Sequence, residues 1–229
     1  MFQLFLQQCK AQAKFLLILL GTAILLVAFL GWVSVHLGIP FNSFTRDPAA
    51  IFHANPFMGV LSNLGILLWC VAATCCLFAF LLRKQHQHFQ AFSSFYYYSG
   101  LLSCLLLFDD LFMLHEEVFP HMLGVPELAV YGSYFILILL YLLVFLKRIL
   151  QTHFLLLLVA FSFFAGSVIV DLLPVFPFPH LLEDGCKFLG ILSWAAYFMH
   201  SSLNHVKTAV TSHKKAKLSV GKGQVTVIN

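Results

Sequence analysis

The feature that most restricts this chain is a series of apolar runs near the length that crosses a bilayer, most of them stopped by a basic pair, a glycine or a proline. A helix needs about 20 apolar residues to traverse about 30 Å of hydrocarbon. Such runs extend from about Phe15 to His36, Phe57 to Leu82, Phe92 to a point between Phe108 and Leu114, Leu128 to Leu146, Phe154 to Asp171, and Leu181 to Val206. Lipid offers the backbone no hydrogen-bond partner, so spans of this kind are helical. The sequence therefore predicts an all-α fold, a polytopic membrane bundle with six transmembrane helices. With 61% hydrophobic and 10% charged residues, the chain departs from soluble domains, which carry roughly 45–50% and 25%.

The flanks divide the chain further. Residues 1–14 place Phe2, Phe5, Leu6, Cys9 and Ala13 at helical spacing among glutamines and lysines, which predicts an amphipathic cytoplasmic lead-in. Residues 15–206 hold the spans, and residues 207–229 form a basic tail whose Lys, Ser and Gly content predicts disorder. The first apolar run is longer than the ~7–15 residues of a signal-peptide core and lacks a small-x-small cleavage site, so it reads as a retained span.

Orientation follows from the basic residues. Lys10 and Lys14, Arg83 and Lys84, Lys147 and Arg148, and the lysines of the tail fall on one side of a six-span arrangement. The other side holds Asp47, Glu116, Glu117, Glu127, Glu183 and Asp184, with Arg46 and Lys187 as its basic residues. By the positive-inside rule both termini are cytoplasmic. The net charge of +4 thus serves topology, and no nucleic acid is expected as a partner. The expected location is a membrane, the inner membrane in a bacterium, with the lipid bilayer itself as the first partner. The six cysteines show no Cys-x-x-Cys pair and read as small buried hydrophobes. Phe95-Tyr96-Tyr97-Tyr98 reads as an aromatic anchor at the interface.

The densest ionisable chemistry lies in Phe108-Asp109-Asp110-Leu111-Phe112-Met113-Leu114-His115-Glu116-Glu117. Carboxylates at the end of an apolar run are costly to keep in lipid, so they mark a functional site by default. Span six adds to this. Its uninterrupted apolar core, Phe188 to Met199, covers only about 18 Å at ~1.5 Å per residue, so its polar flanks must enter the membrane. Glu183, Lys187, Gly190, Trp194, Tyr197, Ser201 and Asn204 recur at alternating steps of four and three, which places them on one face. Glu183 and Lys187, one turn apart, are poised to pair. Asp110-Leu111 and Asp171-Leu172 are each followed by a similar proline-containing segment, an echo that suggests related hairpins.

These residues predict an outward-opening pocket centred on Asp110, with Asp109 and Glu183 as its catalytic partners. Asp110, His115, Asp171 and Asp184 carry the donors of a divalent-metal site, the candidate cofactor. Asn63, Ser103, Ser167, Lys187, Trp194 and Tyr197 are expected to line the pocket. There is no His-Glu-x-x-His motif and no Gly-x-Ser-x-Gly elbow.

Asp109-Asp110-Leu111-Phe112-Met113 is similar to the Asp-Glu-Leu-x-Met stretch of the alkaline ceramidases, membrane hydrolases whose seven-span fold holds zinc through three histidines, an aspartate and a serine. The resemblance covers only this stretch. Ser99 and Ser103 stand where that family has an upstream histidine, and Asn204 follows His200 where it has a histidine pair, so no zinc ligand is carried over. Three functions are consistent with the residues: a metal-dependent membrane enzyme acting on a lipid or other membrane-associated substrate, a proton- or cation-coupled small-molecule transporter, and a non-catalytic membrane binding or assembly partner. The spans lack charged residues in their inner halves, which predicts no polar path across the bundle and counts against transport.

Overall fold

The computed structural model describes residues 1–82, 87–173 and 178–225. Helices follow one another along the chain, and no strand occurs among the described residues. The chain divides into two compact units, Met1–Met58 and Gly59–Asn229.

In the first unit, α1 runs unbroken from Phe2 to Leu37, so the lead-in and the first apolar run are one helix. It ends at Gly38, whose φ of 64° is left-handed, and the amides of Gly38 and Ile39 both donate to the Ser34 carbonyl. Glycine takes that conformation at no steric cost, which is why the helix stops there. Two short helices follow, α2 at Asn42–Thr45 and α3 at Pro48–Ile51. Asp47 caps α3 by accepting the Ala49 amide at 2.7 Å.

The second unit contains α4 (Val60–Leu81), α5 (Gln87–Phe112), a π-helix (Leu114–Met122), α6 (Glu127–Ile149), α7 (Leu155–Leu172) and α8 (Pro179–Val225). Its core forms where α4, α5, α7 and α8 bring small residues and rings together. Ala72, Ala73, Cys76 and Ala79 make a buried small-residue stripe on α4. Small side chains let helices approach closely in lipid, where dispersion contacts replace the hydrophobic effect as the cohesive force. Phe95, Tyr96, Trp194, Tyr197 and Phe198 fill the centre. Phe95 and Tyr96 are therefore core residues, while Tyr97 and Tyr98 are exposed, so only half of the expected aromatic anchor faces outward.

Four described helices are long and apolar enough to cross a membrane: Cys9–Leu37, Val60–Leu81, Glu127–Ile149 and Leu155–Leu172. Phe92–Phe112 and Leu114–Met122, which meet at 66°, add a fifth when taken together. The sixth expected run, Leu181 to Val206, is helical as part of α8 but is not among them. Lys187, Ser193, Ser201, Ser202, Asn204 and His205 lower its hydropathy, and several of them turn toward protein. The basic segment 207–225 continues the same helix. The second half of the proline-containing echo, residues 174–177, lies outside the described residues.

Close approach of α7 and α8 depends on Gly190. A methyl group there would meet the Phe164 ring at 2.6 Å, well inside contact distance. Gly190→Ala is expected to lower thermal stability in detergent by on the order of 1–3 kcal/mol through overpacking. Gly132→Ala, which meets nothing within 4 Å, leaves it unchanged or slightly raised. Equal melting temperatures for the two variants would contradict this packing.

Candidate functional site

The site begins where α5 breaks. Met113 has φ 49° and ψ 46°, left-handed values that a side chain rarely adopts. The break turns the chain so that His115 folds back on Asp109. The His115 amide donates to Asp109 Oδ1 at 3.1 Å, and its Nδ1 lies 2.6 Å from Asp109 Oδ2. On a straight helix, six residues would carry His115 about 9 Å and about 1.7 turns away, beyond reach of that carboxylate. Backbone strain at Met113 is thus offset by hydrogen bonds to a carboxylate only 4% exposed.

Around this contact runs a chain of ionic and hydrogen-bonded groups. Tyr134 of α6 donates its hydroxyl to Asp109 Oδ1 at 2.7 Å. His115 Nε2 lies 3.2 Å from Glu116 Oε1. Lys187 of α8 places its Nζ 3.0 Å from Asp110 Oδ1 and 3.6 Å from the same Glu116 oxygen. Trp69 of α4 donates its indole N–H to Asp110 Oδ2 at 2.7 Å. With a carboxylate oxygen at each ring nitrogen, the His115 imidazole can donate to both only in its protonated form. Two cations and three carboxylates on α5, α8 and the π-helix are thereby interleaved, with neutral donors from α4 and α6.

A cavity of about 180 Å³ opens beside this network. Its walls include Asp109, Asp110, His115, Glu116, Asp171, Glu183 and Lys187, together with the aromatic side chains of Trp69, Tyr131, Tyr134, Phe161, Phe164 and Trp194. Ser167, buried on α7, also lines it. Of the residues expected at the site, Asp109, Asp110, His115, Asp171, Glu183, Lys187, Ser167 and Trp194 border this one cavity. Asn63 and Asp184 do not; both are exposed. Ser103 and Tyr197 are buried elsewhere in the bundle, Ser103 accepting the Trp194 indole N–H at 3.0 Å.

The expected metal ligands Asp110, His115 and Asp171 share the cavity wall without converging on one point. Among the described residues, no three His, Cys, Asp or Glu side chains are grouped as a metal site requires. The reason is visible in the pairing: both oxygens of Asp110 and both ring nitrogens of His115 already face partners within the network. The ion pairs of Lys187 are with Asp110 and Glu116, not with Glu183 one turn before it. Trp69, Glu116, Tyr131 and Tyr134 were not among the expected site residues. The spacing of Glu127, Tyr131 and Tyr134, by four and then three along α6, is the one sequence signal that could have pointed to that face.

Below the cavity the interior carries further polar groups. Tyr141 and Ser99 hydroxyls lie 2.6 Å apart, and Tyr197 and Thr152 hydroxyls 2.7 Å apart. Ser99, Ser103, Ser201, Ser202 and His205 are all buried. From Lys187 to His205, α8 rises about 27 Å. Polar atoms therefore recur over nearly the thickness of a bilayer core, in a region without charged residues.

Fold and site together describe an all-helical protein with several helices of membrane-crossing length and a charged cluster tied across its bundle. The chain belongs to the family described as Domain of unknown function (DUF8692), whose model matches residues 17–201 and so includes every member of the charged network. No curated protein and no solved structure matches it.

Removing one partner of a desolvated pair strands the other charge, whereas removing both relieves the penalty. Lys187→Met is expected to destabilise the detergent-solubilised protein by on the order of 3 kcal/mol. Adding Asp110→Leu recovers a substantial part of that loss. Thermal denaturation of the two single variants and the double variant checks this; strictly additive losses would show that the pair is not coupled.

Proposed function

We propose that this protein is a six-span integral membrane protein with both termini in the cytoplasm, and that its outward-facing pocket binds the cationic group of a small organic amine or quaternary ammonium. The observation that carries this reading is the charge balance of the cavity wall. Five carboxylates border it, Asp109, Asp110, Glu116, Asp171 and Glu183, against the two cationic groups of Lys187 and His115. Asp171 and Glu183 have no ion-pair partner among the described residues, and the rings of Trp69, Phe161, Phe164 and Trp194 stand in the same wall. Carboxylates next to aromatic faces are the surroundings in which an ammonium ion is held, by Coulomb attraction and by cation–π contact. The basic residues at the opposite ends of the spans support the orientation.

A specific observation favours transport over simple binding. The buried hydroxyls of Ser99 on α5, Tyr141 on α6, and Tyr197 and Ser201 on α8, with His205, furnish polar groups inside the bundle that a static receptor has no use for. On this reading the bound cation, or a proton exchanged for it, moves past those groups.

Isothermal titration with tetramethylammonium should show saturable binding, with tert-butanol, its neutral counterpart in shape, binding far more weakly. Asp171→Asn combined with Glu183→Gln should weaken tetramethylammonium by about tenfold or more, that is, by about 1.4 kcal/mol. Equal affinity for the charged and neutral probes would sink the proposal. In proteoliposomes, accumulation of the labelled ion would support the transport reading, and binding without movement would restrict the protein to recognition.

A further inference from the structure

At the opposite end of the second unit lies another polar cavity. The turn between α6 and α7 gives it Gln151, Thr152 and His153, and α8 gives it Ser201, Asn204 and His205. Its volume is about 320 Å³, within the roughly 300–1,000 Å³ that sites for organic ligands enclose. From Glu183 to Asn204, α8 rises about 32 Å, so about the thickness of a bilayer core separates this cavity from the charged one. The two parts of the wall are fastened together. The Thr152 hydroxyl donates to the Ile149 carbonyl at 2.6 Å and lies 2.7 Å from the Tyr197 hydroxyl, which ties the turn to α8. Ser201 is only 5% exposed, and its Oγ has no hydrogen-bond partner among the described residues. Buried hydroxyls normally have one, and this side chain borders the cavity.

Charge decides what fits. Asp47 belongs to the first unit, and the other acidic residues of the chain lie where α5 and α7 end, where α6 and α8 begin, or in the π-helix. None borders this cavity. Arg148, near the end of α6, stands at its edge: the guanidinium lies 5.1 Å from the centroid of the Phe92 ring, and Nη1 donates to Gln151 Oε1 at 3.5 Å. Phe92 and Gln151 are both in the wall. Arg148 has no ion pair among the described residues, whereas Lys187 at the other end has two carboxylates. Arg148, His153 and Ser201 can all donate hydrogen bonds, and the wall supplies no anion to receive them. A metal ion finds no carboxylate here, and an alkyl chain finds little apolar lining beyond Phe92 and Tyr96. A compact anion with several acceptor oxygens suits such a wall. The planar fork of arginine grips phosphate through paired N–H groups, and basic pockets among helices at the cytoplasmic face of a bilayer hold phosphate-bearing headgroups. We propose that this cavity binds a phosphate group, presented by an anionic lipid headgroup or by a soluble phosphorylated molecule. Arg148 meets its charge, while Ser201 and His153 donate to its oxygens from α8 and from the turn. The site stands whether or not the charged cavity takes an ammonium ion.

The test is isothermal titration of inorganic phosphate and of dihexanoylphosphatidic acid into the full-length protein in a non-ionic detergent. Saturable binding that includes inorganic phosphate supports a site open to soluble molecules, and binding of the lipid alone supports the headgroup as the source. In either case Arg148→Gln should weaken binding by about tenfold or more, and Ser201→Ala by severalfold. Lys147→Gln, an exposed neighbour outside the wall, should leave it unchanged. Ser201→Ala removes a hydroxyl that has no partner, so it should keep the melting temperature of the parent and report on the site even where Arg148→Gln fails to fold. Absence of saturable binding for both probes would overturn the proposal. So would an affinity unchanged by Ser201→Ala, or a loss in Lys147→Gln equal to that in Arg148→Gln. Equal affinity for dihexanoylphosphatidylcholine, whose head has no net charge, would reduce the cavity to a nonspecific lipid contact and overturn it as well.

Discussion

A half-buried ammonium ion cannot be left without counter-charge, and much of the second unit is arranged to satisfy the one on Lys187. Desolvating a charge costs several kcal/mol unless geometry returns it through close partners. Asp110 and Glu116 supply those partners from α5 and from the π-helix beyond its end. Asp110 in turn needs a donor for its second oxygen and finds the Trp69 indole on α4. Glu116 needs another positive neighbour and shares His115 with Asp109. The break at Met113 follows from the same demand, because only a turn in the chain returns His115 to the carboxylate behind it. Local backbone strain and long-range helix register are thus two sides of one electrostatic requirement.

Hydrophobic pattern alone explains the periphery of this fold better than its centre. The runs that became α1, α4, α6 and α7 were legible because lipid demands nothing of a helix beyond length and apolarity. Gly38 announces the end of α1 for a similarly local reason. α8 is different. One face of it packs against α4, α5 and α7, and a face turned to protein can carry serines, tyrosines and histidine where a lipid-facing one could not. Its mean hydropathy is therefore a poor guide to where it lies.

The candidate site was legible where chemistry is rare and illegible where it is common. Asp109, Asp110 and Lys187 stand out because charged residues are scarce in this chain. Trp69 and Tyr134 do not, since an aromatic residue within an apolar run looks the same whether it faces lipid or a carboxylate. Adjacent acids were the other difficulty. Glu183 borders the cavity and Asp184 is exposed, a difference set by about 100° of helix rotation that composition cannot see. The donors counted for a metal are engaged for a related reason: cations and N–H groups already face the oxygens of Asp110, and the nitrogens of His115 face carboxylates, partners that composition does not show.

The polar interior of α8 also bears on how such a chain enters a membrane during synthesis. Insertion is favoured by the apolar content of each segment as it leaves the ribosome, and charged or strongly polar groups near the middle oppose it. α8 is the least able of the long helices of the second unit to partition on its own, and it is made after α4, α5 and α7, against which it packs. Placing this segment after those helices lets its polar face meet partners instead of lipid. Moved to the front of the unit by circular permutation, the same sequence would have to wait for its neighbours.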